Sequence, residues 1–178
     1  METKPRSLFM NSLVYGLITG GGLILFSLLL YIMDAPYKSP LGYLGIVIMI
    51  GGMIWGTIQH RNVNLNGYIS YGQAFISCFL IAIIATALSS LYTYLFYTFF
   101  DPQALASIID KAVEEAEMKM ESQGLSGEQM DAALGMTKKF LSPAAMSLMG
   151  LVMNSIFGAI ISLIAAAFIK KEENVFKS

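Results

Sequence analysis

The residues of this sequence that could do chemistry are few and far apart. His60 is the only histidine and Cys78 is the only cysteine. A metal site built on either residue needs further histidine or cysteine ligands, and a serine or cysteine nucleophile needs a base beside it. We therefore predict no enzyme activity, no metal site and no cofactor. We interpret His60, next to Arg61 at the end of an apolar run, as an exposed residue at a membrane interface.

Carboxylates and methionines form two further groups of potential ligands. The glutamates of residues 114–121 could pair for acid–base chemistry or bind a cation, but helical spacing among polar residues is more typical of a water-facing surface. The methionines of residues 146–153 could bind a soft metal. No cysteine or histidine accompanies them, so apolar packing explains them better.

Long uncharged runs dominate the chain and indicate a membrane protein. Of 178 residues, 56% are hydrophobic and 13% are charged, a composition from which a water-soluble surface is hard to build. Asp, Glu, Lys and Arg are absent from residues 7–33, 39–59, 62–100 and 140–169. Each run can supply the roughly 20 residues that cross a bilayer as a helix. We predict an all-α membrane domain over residues 1–178, a four-helix transmembrane bundle with spans at about 8–33, 41–58, 71–100 and 144–169.

One sizeable polar segment, residues 101–142, separates the third span from the fourth. Asp101 is suited to the N-cap of a helix that Pro102 begins, and Gly124 is suited to its end. The apolar positions of this helix recur at steps of three and four: Leu105, Ile108, Ile109, Ala112, Ala116 and Met120.

A second helix is predicted to begin at Ser126 in the same segment. Gln129 follows three residues later, which is a capping-box pattern. One face would then carry Met130, Ala133, Leu134, Thr137 and Leu141. Residues 101–142 are therefore predicted to form an amphipathic helical hairpin outside the membrane.

Small residues recur at four-residue spacing on three of the spans. They are Gly16 and Gly20 on the first span, Gly52 and Gly56 on the second, and Gly158 and Ser162 on the fourth. Such spacing lets the backbones of neighbouring helices approach closely. An interface between copies of the chain would use the same spacing, but contacts within one bundle are the simpler interpretation.

The deepest polar side chains of the spans are uncharged. Proton relays, substrate counter-ions and voltage sensors use ionisable residues inside the bilayer, and the centres of these spans have none. A proton-coupled transporter that works as a monomer is therefore disfavoured. Asn154 is predicted to face the bundle and to bond there with Thr86 or Ser89 on the third span, or with Ser27 or Thr19 on the first.

The distribution of lysine and arginine predicts the orientation in the membrane. Four spans place both termini and the loop at residues 59–70 on one side. That side holds Lys4, Arg6, Arg61, Lys170, Lys171 and Lys177, and the other holds Lys38, Lys111, Lys119, Lys138 and Lys139. The first six all lie close to span ends, where positive charge favours the cytoplasm. We predict cytoplasmic termini, with residues 34–40 and 101–142 on the far side.

Several short stretches of the sequence resemble a known family. They are residues 70–75 opening the third span, Phe99-Phe100-Asp101-Pro102 at its exit, Ser142-Pro143, and residues 161–171. Together they resemble a family of uncharacterised bacterial membrane proteins, domain of unknown function 4199, over nearly the whole chain. The resemblance implies a four-span inner-membrane protein with an extra-membrane segment before its last span. It implies no activity, and it offers no catalytic or binding residues.

These observations favour a non-enzymatic membrane protein that acts by interaction, as an accessory or assembly component. Its expected partners are the lipid bilayer and other membrane proteins or copies of itself. The net charge of −1 argues against nucleic acid as a partner. The alternative is a small homo-oligomeric channel or transporter whose path is lined by Asn154, Thr86 and Ser89. A membrane enzyme is the least favoured.

Overall fold

The computed structural model describes residues 6–34, 40–124 and 127–172, and the regular structure within these ranges is helical apart from one isolated β-bridge. The α-helices are α1 (Leu8–Ile32), α2 (Leu44–Gln59), α3 (Tyr71–Leu95), α4 (Pro102–Ser122), α5 (Glu128–Phe140) and α6 (Pro143–Ile169). A 3₁₀ turn, Pro40–Tyr43, precedes α2, and π-helical turns follow α2 (His60–Asn64) and α3 (Phe96–Phe100). The prediction of an all-α protein is confirmed for these residues.

Four helical stretches are long and apolar enough to cross a membrane, as predicted. They are Leu8–Ile32, Pro40–Asn64, Tyr71–Phe100 and Pro143–Ile169. The second stretch continues to Asn64, past the predicted end near residue 58. Gln59, His60 and Arg61 follow that predicted end, but their backbone stays helical through the end of α2 and the π turn.

Some predicted features fall on residues that the structure does not describe. The link at 34–40 is described only at its two ends, Asp34 and Pro40. Lys4, Lys38 and Lys177, which entered the orientation argument, also lie outside the described residues.

The chain divides into two compact units. The bundle unit comprises residues 1–89 and 151–178, and the segment unit comprises residues 90–150. The core of the bundle unit contains few large side chains, and several of its fully buried residues are small: Ser12, Ser77, Cys78, Ala82, Ser162 and Ala166. Small side chains at helix crossings allow close backbone approach, so the bundle unit is held by tight contacts between helices.

The first helix of the segment unit has the predicted ends. Asp101 Oδ1 accepts a hydrogen bond from the backbone N–H of Ala104 at 2.9 Å, and Pro102 is the first residue of α4. Gly124 follows the C-cap with φ +76°. Glycine adopts such a conformation without strain, so α4 can stop there.

The second helix of the segment unit begins differently from the prediction. α5 starts at Glu128, and its N-cap is Gly127, at φ +65° and without a side-chain cap. Ser126, the predicted N-cap, lies outside the described residues. The turn at Gly127 places the helix start after this glycine, so the capping-box pattern of Ser126 and Gln129 did not predict the N-cap correctly.

Both helices of the segment unit are amphipathic, and they contact each other. Leu105 is buried, and the other predicted apolar positions of both helices are half-buried. Glu114, Glu115 and Glu121 are exposed. The charged side chains of α4 thus lie largely on the face away from its apolar contacts.

Candidate functional site: a buried polar network in the helix bundle

The glycines singled out on the first two spans lie where helices of the bundle cross. A Cβ atom at Gly56 would lie 2.6 Å from Tyr15 Cβ and 2.7 Å from Ile81 Cδ1. A Cβ atom at Gly16 would lie 2.7 Å from Ile84 Cβ. Atoms this close would force one helix to shift, so these two positions require glycine.

The other small residues have similar surroundings. A Cβ at Gly20 would lie 3.1 Å from the carbonyl oxygen of Ala85, and one at Gly52 would collide with the Thr19 side chain. On α6, a Cβ at Gly158 would lie 2.8 Å from Ala82 Cβ. Ser162 is fully buried and donates to the carbonyl oxygen of Gly158 at 2.6 Å.

The predicted intramembrane polar residues differ in their burial. Thr86 is buried, and its hydroxyl donates to Met49 Sδ at 4.0 Å. Ser89 is half-buried, and Asn154 is exposed. The prediction that Asn154 faces the bundle is therefore wrong.

The reason lies in the period of helix packing. The less exposed side of α6 follows residues 151, 155, 158, 162, 165 and 169, at alternating steps of four and three. This spacing is typical of helices that pack at a shallow left-handed angle. The prediction for Asn154 rested instead on its polarity near the middle of the span, and the four-and-three pattern leaves this position on the exposed side of α6. Ser155, the next residue along the chain, is half-buried, and its hydroxyl donates to the carbonyl oxygen of Leu151 at 2.7 Å.

The polar side chains that do come together were not predicted as a site. We call them the polar network: Asn11, Ser12, Thr57, His60, Asn64, Ser77 and Cys78. They lie near the start of α1, the end of α2, the following π turn and the start of α3. His60 is only 2% exposed, so its interpretation as an exposed interfacial residue is wrong.

The outer half of the polar network joins the start of α1 to the π turn. The backbone N–H of Arg6 donates to Asn64 Oδ1 at 2.8 Å. Asn64 Nδ2 then lies 3.5 Å from Asn11 Oδ1 and 3.3 Å from His60 Nδ1. Asn11 Nδ2 donates to the carbonyl oxygen of Gly56 at 3.1 Å. These bonds connect the residue before α1, α1 itself, and the end of α2 with its π turn.

Backbone groups at both ends determine the direction of these bonds. A backbone N–H only donates, so the atom of Asn64 that it contacts is the amide oxygen. A backbone carbonyl only accepts, so the atom of Asn11 at Gly56 is the amide nitrogen. Asn64 Nδ2 must therefore donate, and His60 Nδ1 must accept. The neutral imidazole then carries its proton on Nε2.

The inner half of the polar network joins three helices. Thr57 Oγ1 on α2 lies 3.2 Å from both Ser77 Oγ and Cys78 Sγ on α3. Ser12 Oγ on α1 donates to the carbonyl oxygen of Ser77 at 3.5 Å, and Cys78 Sγ lies 3.8 Å from the carbonyl oxygen of Met53. Buried hydroxyl and thiol groups are thus partnered by the neighbouring helices, which orients α1, α2 and α3 relative to one another.

One signal in the sequence could have located part of the polar network. Ser12 lies four residues before Gly16, so the small-residue spacing of the first span extends to it. No local pattern indicates Asn11, His60 and Asn64. They lie near predicted span ends, where polar residues are usually hydrated, and their bonding partners come from distant parts of the chain.

The polar network joins helices through hydrogen bonds. It contains one imidazole and one thiol but no carboxylate, lysine or arginine side chain. Within the described residues, no group of three or more His, Cys, Asp or Glu side chains could hold a metal ion. The arrangement provides hydrogen-bonded contacts between α1, α2 and α3 at the end of the bundle unit where α1 begins.

No curated protein and no solved structure matches the chain. The family described as Protein of unknown function (DUF4199) matches residues 14–171. This range includes most of α1 and all of α2 to α6, whereas Asn11 and Ser12 precede it. The chain therefore belongs to the DUF4199 family of proteins of unknown function.

Proposed function

We propose that this chain is a non-enzymatic accessory protein of the bacterial inner membrane that binds a partner protein through residues 101–142. The proposal rests on one observation: the tight helix packing and most of the acidic residues lie in different parts of the chain. The bundle unit is closed by tight helix contacts, whereas eight of the twelve acidic residues lie in residues 101–142.

The packing of the bundle unit argues against the passage of ions or solutes through a single copy of the chain. At Gly16, Gly56 and Gly158, a single added carbon would lie within 3.0 Å of a neighbouring helix. The buried hydroxyl of Thr57 bonds within the bundle rather than lining a water-filled path. A path through one copy would have to separate these contacts.

The charge of the segment supports a basic partner surface. Residues 101–142 contain eight acidic residues and four lysines, and most of these side chains are exposed along α4 and α5. Complementary charge speeds association and selects among partners. The partner we propose is a membrane protein with a basic surface just outside the bilayer, and α4 and α5 bind it as a helical hairpin.

The proposed orientation places both termini in the cytoplasm. It rests on Lys and Arg residues close to the span ends, which include Arg6, Arg61, Lys170 and Lys171 on the side of the termini. Residues 101–142 then face the side opposite the cytoplasm.

The alternative is a homo-oligomeric channel or transporter, and one observation favours it. Asn154 is exposed on α6 among Val152, Met153, Ile156 and Phe157, which are about half exposed. An amide that faces hydrocarbon without a partner is unfavourable, whereas amides bond readily between membrane helices. A second copy of the chain could supply that partner.

The proposal is tested by purifying the tagged full-length chain from its native membrane in mild detergent. We expect a second, unrelated membrane protein to co-purify at a defined ratio. The double variant Glu114→Lys/Glu121→Lys should reduce its capture by roughly tenfold, because two charges change sign at the proposed surface. Glu172→Lys, an exposed charge reversal in the bundle unit, is the matched control and should leave capture unchanged.

Two outcomes would contradict the proposal, one of them the accessory role and the other the binding surface. A defined homo-oligomer without another subunit, as measured by native mass spectrometry, would favour the channel. Equal capture by all three proteins would show that residues 101–142 do not form the binding surface.

A further inference from the structure

Two parts of the chain that are far apart in sequence bring three cationic residues to the end of the bundle unit where α6 finishes. We call Arg61, Lys170 and Lys171 the cationic patch. Arg61 lies in the π turn after α2, and the two lysines follow directly after α6. Lys170 and Lys171 are exposed, and Arg61 is half-buried.

A backbone bridge holds Lys171 against the loop that precedes α3. The N–H of Ile69 donates to the carbonyl oxygen of Lys171 at 2.9 Å, and the N–H of Lys171 donates to that of Ile69 at the same distance. Lys171 Nζ lies 5.7 Å from the centre of the Tyr68 ring, within cation–π range. The position of Lys171 is therefore defined by the fold.

Arg61 joins the patch through the end of α6. Its Nη1 donates to the carbonyl oxygen of Ile169 at 3.0 Å, and its Nε donates to Asn62 Oδ1 at 3.0 Å. Both acceptors are uncharged, and a guanidinium has five N–H donors. The bond to Ile169 helps to end α6, and it leaves the positive charge of Arg61 without compensation from these partners.

Among the residues that the structure describes, positive charge is in excess at this end of the bundle. Arg6 also lies here, because its backbone bonds to Asn64. Among the described residues that adjoin these helix ends, Glu172 is the single carboxylate. Cations on neighbouring chain segments repel each other, so an anion that lies between them is stabilising.

The patch lies at the depth expected for lipid headgroups. Pro40–Asn64 and Pro143–Ile169 end beside it, and Tyr71–Phe100 begins beside it. Tyr68 and Tyr71 are exposed there, and tyrosine is enriched at membrane interfaces. The hydroxyl of Tyr71 donates to the carbonyl oxygen of Leu163 on α6 at 3.1 Å. This contact joins the start of α3 to α6 near the patch.

We infer that Arg61, Lys170 and Lys171 form a binding site for the phosphate of an anionic phospholipid headgroup. The acyl chains of such a lipid would lie along the apolar outer surfaces of α3 and α6. Basic residues between the ends of membrane helices are well suited to anionic headgroups. The inference is independent of the protein partner proposed above, since it concerns other residues and another ligand.

The test compares the full-length chain in nanodiscs of phosphatidylcholine with and without phosphatidylglycerol. The variant is Lys170→Gln/Lys171→Gln, which removes two side-chain charges but leaves the backbone bridge available. The matched control is Lys138→Gln/Lys139→Gln, an adjacent exposed lysine pair at the end of α5. The measurements are thermal stability and the number of phosphatidylglycerol molecules retained in native mass spectrometry.

We expect phosphatidylglycerol to raise the melting temperature of the wild type and of the control, and to remain bound to both. The Lys170→Gln/Lys171→Gln variant should bind the lipid about tenfold to thirtyfold more weakly. Lys170→Arg/Lys171→Arg should restore binding, since it keeps both charges. If the double glutamine variant does not fold, Lys170→Gln alone provides the test, because its side chain is exposed.

Two results would overturn the inference. Inorganic phosphate at the same anion concentration could stabilise the wild type as much as the lipid does, which would identify a site for free phosphate. Equal retention of phosphatidylglycerol by the wild type, the glutamine variant and the control would show that the patch does not bind the lipid.

Discussion

Gly56→Leu is expected to destabilise the bundle unit by about 3 kcal/mol or more, which is at or above the usual cost of overpacking a core. The Cβ alone would lie 2.6 Å from Tyr15 Cβ, so the added side chain must push α1 away from α2. Trp55 is the only tryptophan, and its ring lies 4.9 Å from the Tyr15 ring. Thermal unfolding in mild detergent, followed by Trp55 fluorescence, therefore reports on the contact that the substitution disturbs.

Gly51 provides the matched control on the same helix. A Cβ at Gly51 would meet no atom within 4 Å, so Gly51→Leu should change the stability by less than about 0.5 kcal/mol. Equal melting temperatures for the two variants would show that Gly56 is not at a close helix contact.

Asn11→Leu is expected to destabilise the protein by about 1–3 kcal/mol, the cost of leaving buried polar groups without partners. The substitution removes the donor to the Gly56 carbonyl and the acceptor for Asn64 Nδ2. Asn11 is 2% exposed, so water cannot easily replace these bonds. The measurement is the free energy of unfolding in mild detergent.

Asn154→Leu makes the same chemical change at an exposed amide of α6. We expect it to leave the stability of a single copy within about 0.5 kcal/mol of the wild type. A larger loss for Asn154→Leu than for Asn11→Leu would contradict the placement of both residues.

The helices of this protein were predictable because their signals are local. Uncharged runs longer than a bilayer crossing indicated the four spanning helices, and Asp101-Pro102 indicated the start of α4 through bonds within one turn. The four-residue spacing of Gly52 and Gly56 pointed to positions that lie against α1 in the structure. Helices that approach closely need small residues at such spacing, so a close helix contact can be recognised from the sequence.

The polar network was not predictable because its bonds are long-range. Asn64 contacts Asn11 across 53 positions of the chain, and nothing near His60 in sequence indicates that it is buried. The orientation of Asn154 was missed for a related reason. Whether a helix packs at steps of four or at alternating steps of four and three depends on its neighbours, and the sequence of α6 alone did not distinguish these patterns.

The arrangement of four spans, with residues 101–142 on the side opposite the termini, is tested most directly by labelling single cysteines in intact cells. In a Cys78→Ala background, Gln103→Cys and Ser122→Cys mark the segment, and Asn62→Cys marks the loop after α2. All three positions are exposed. We predict that a membrane-impermeant maleimide reacts with positions 103 and 122 in intact cells and with position 62 only after permeabilisation. Labelling of position 62 together with 103 and 122 in intact cells would contradict the arrangement, because the third span would not separate them.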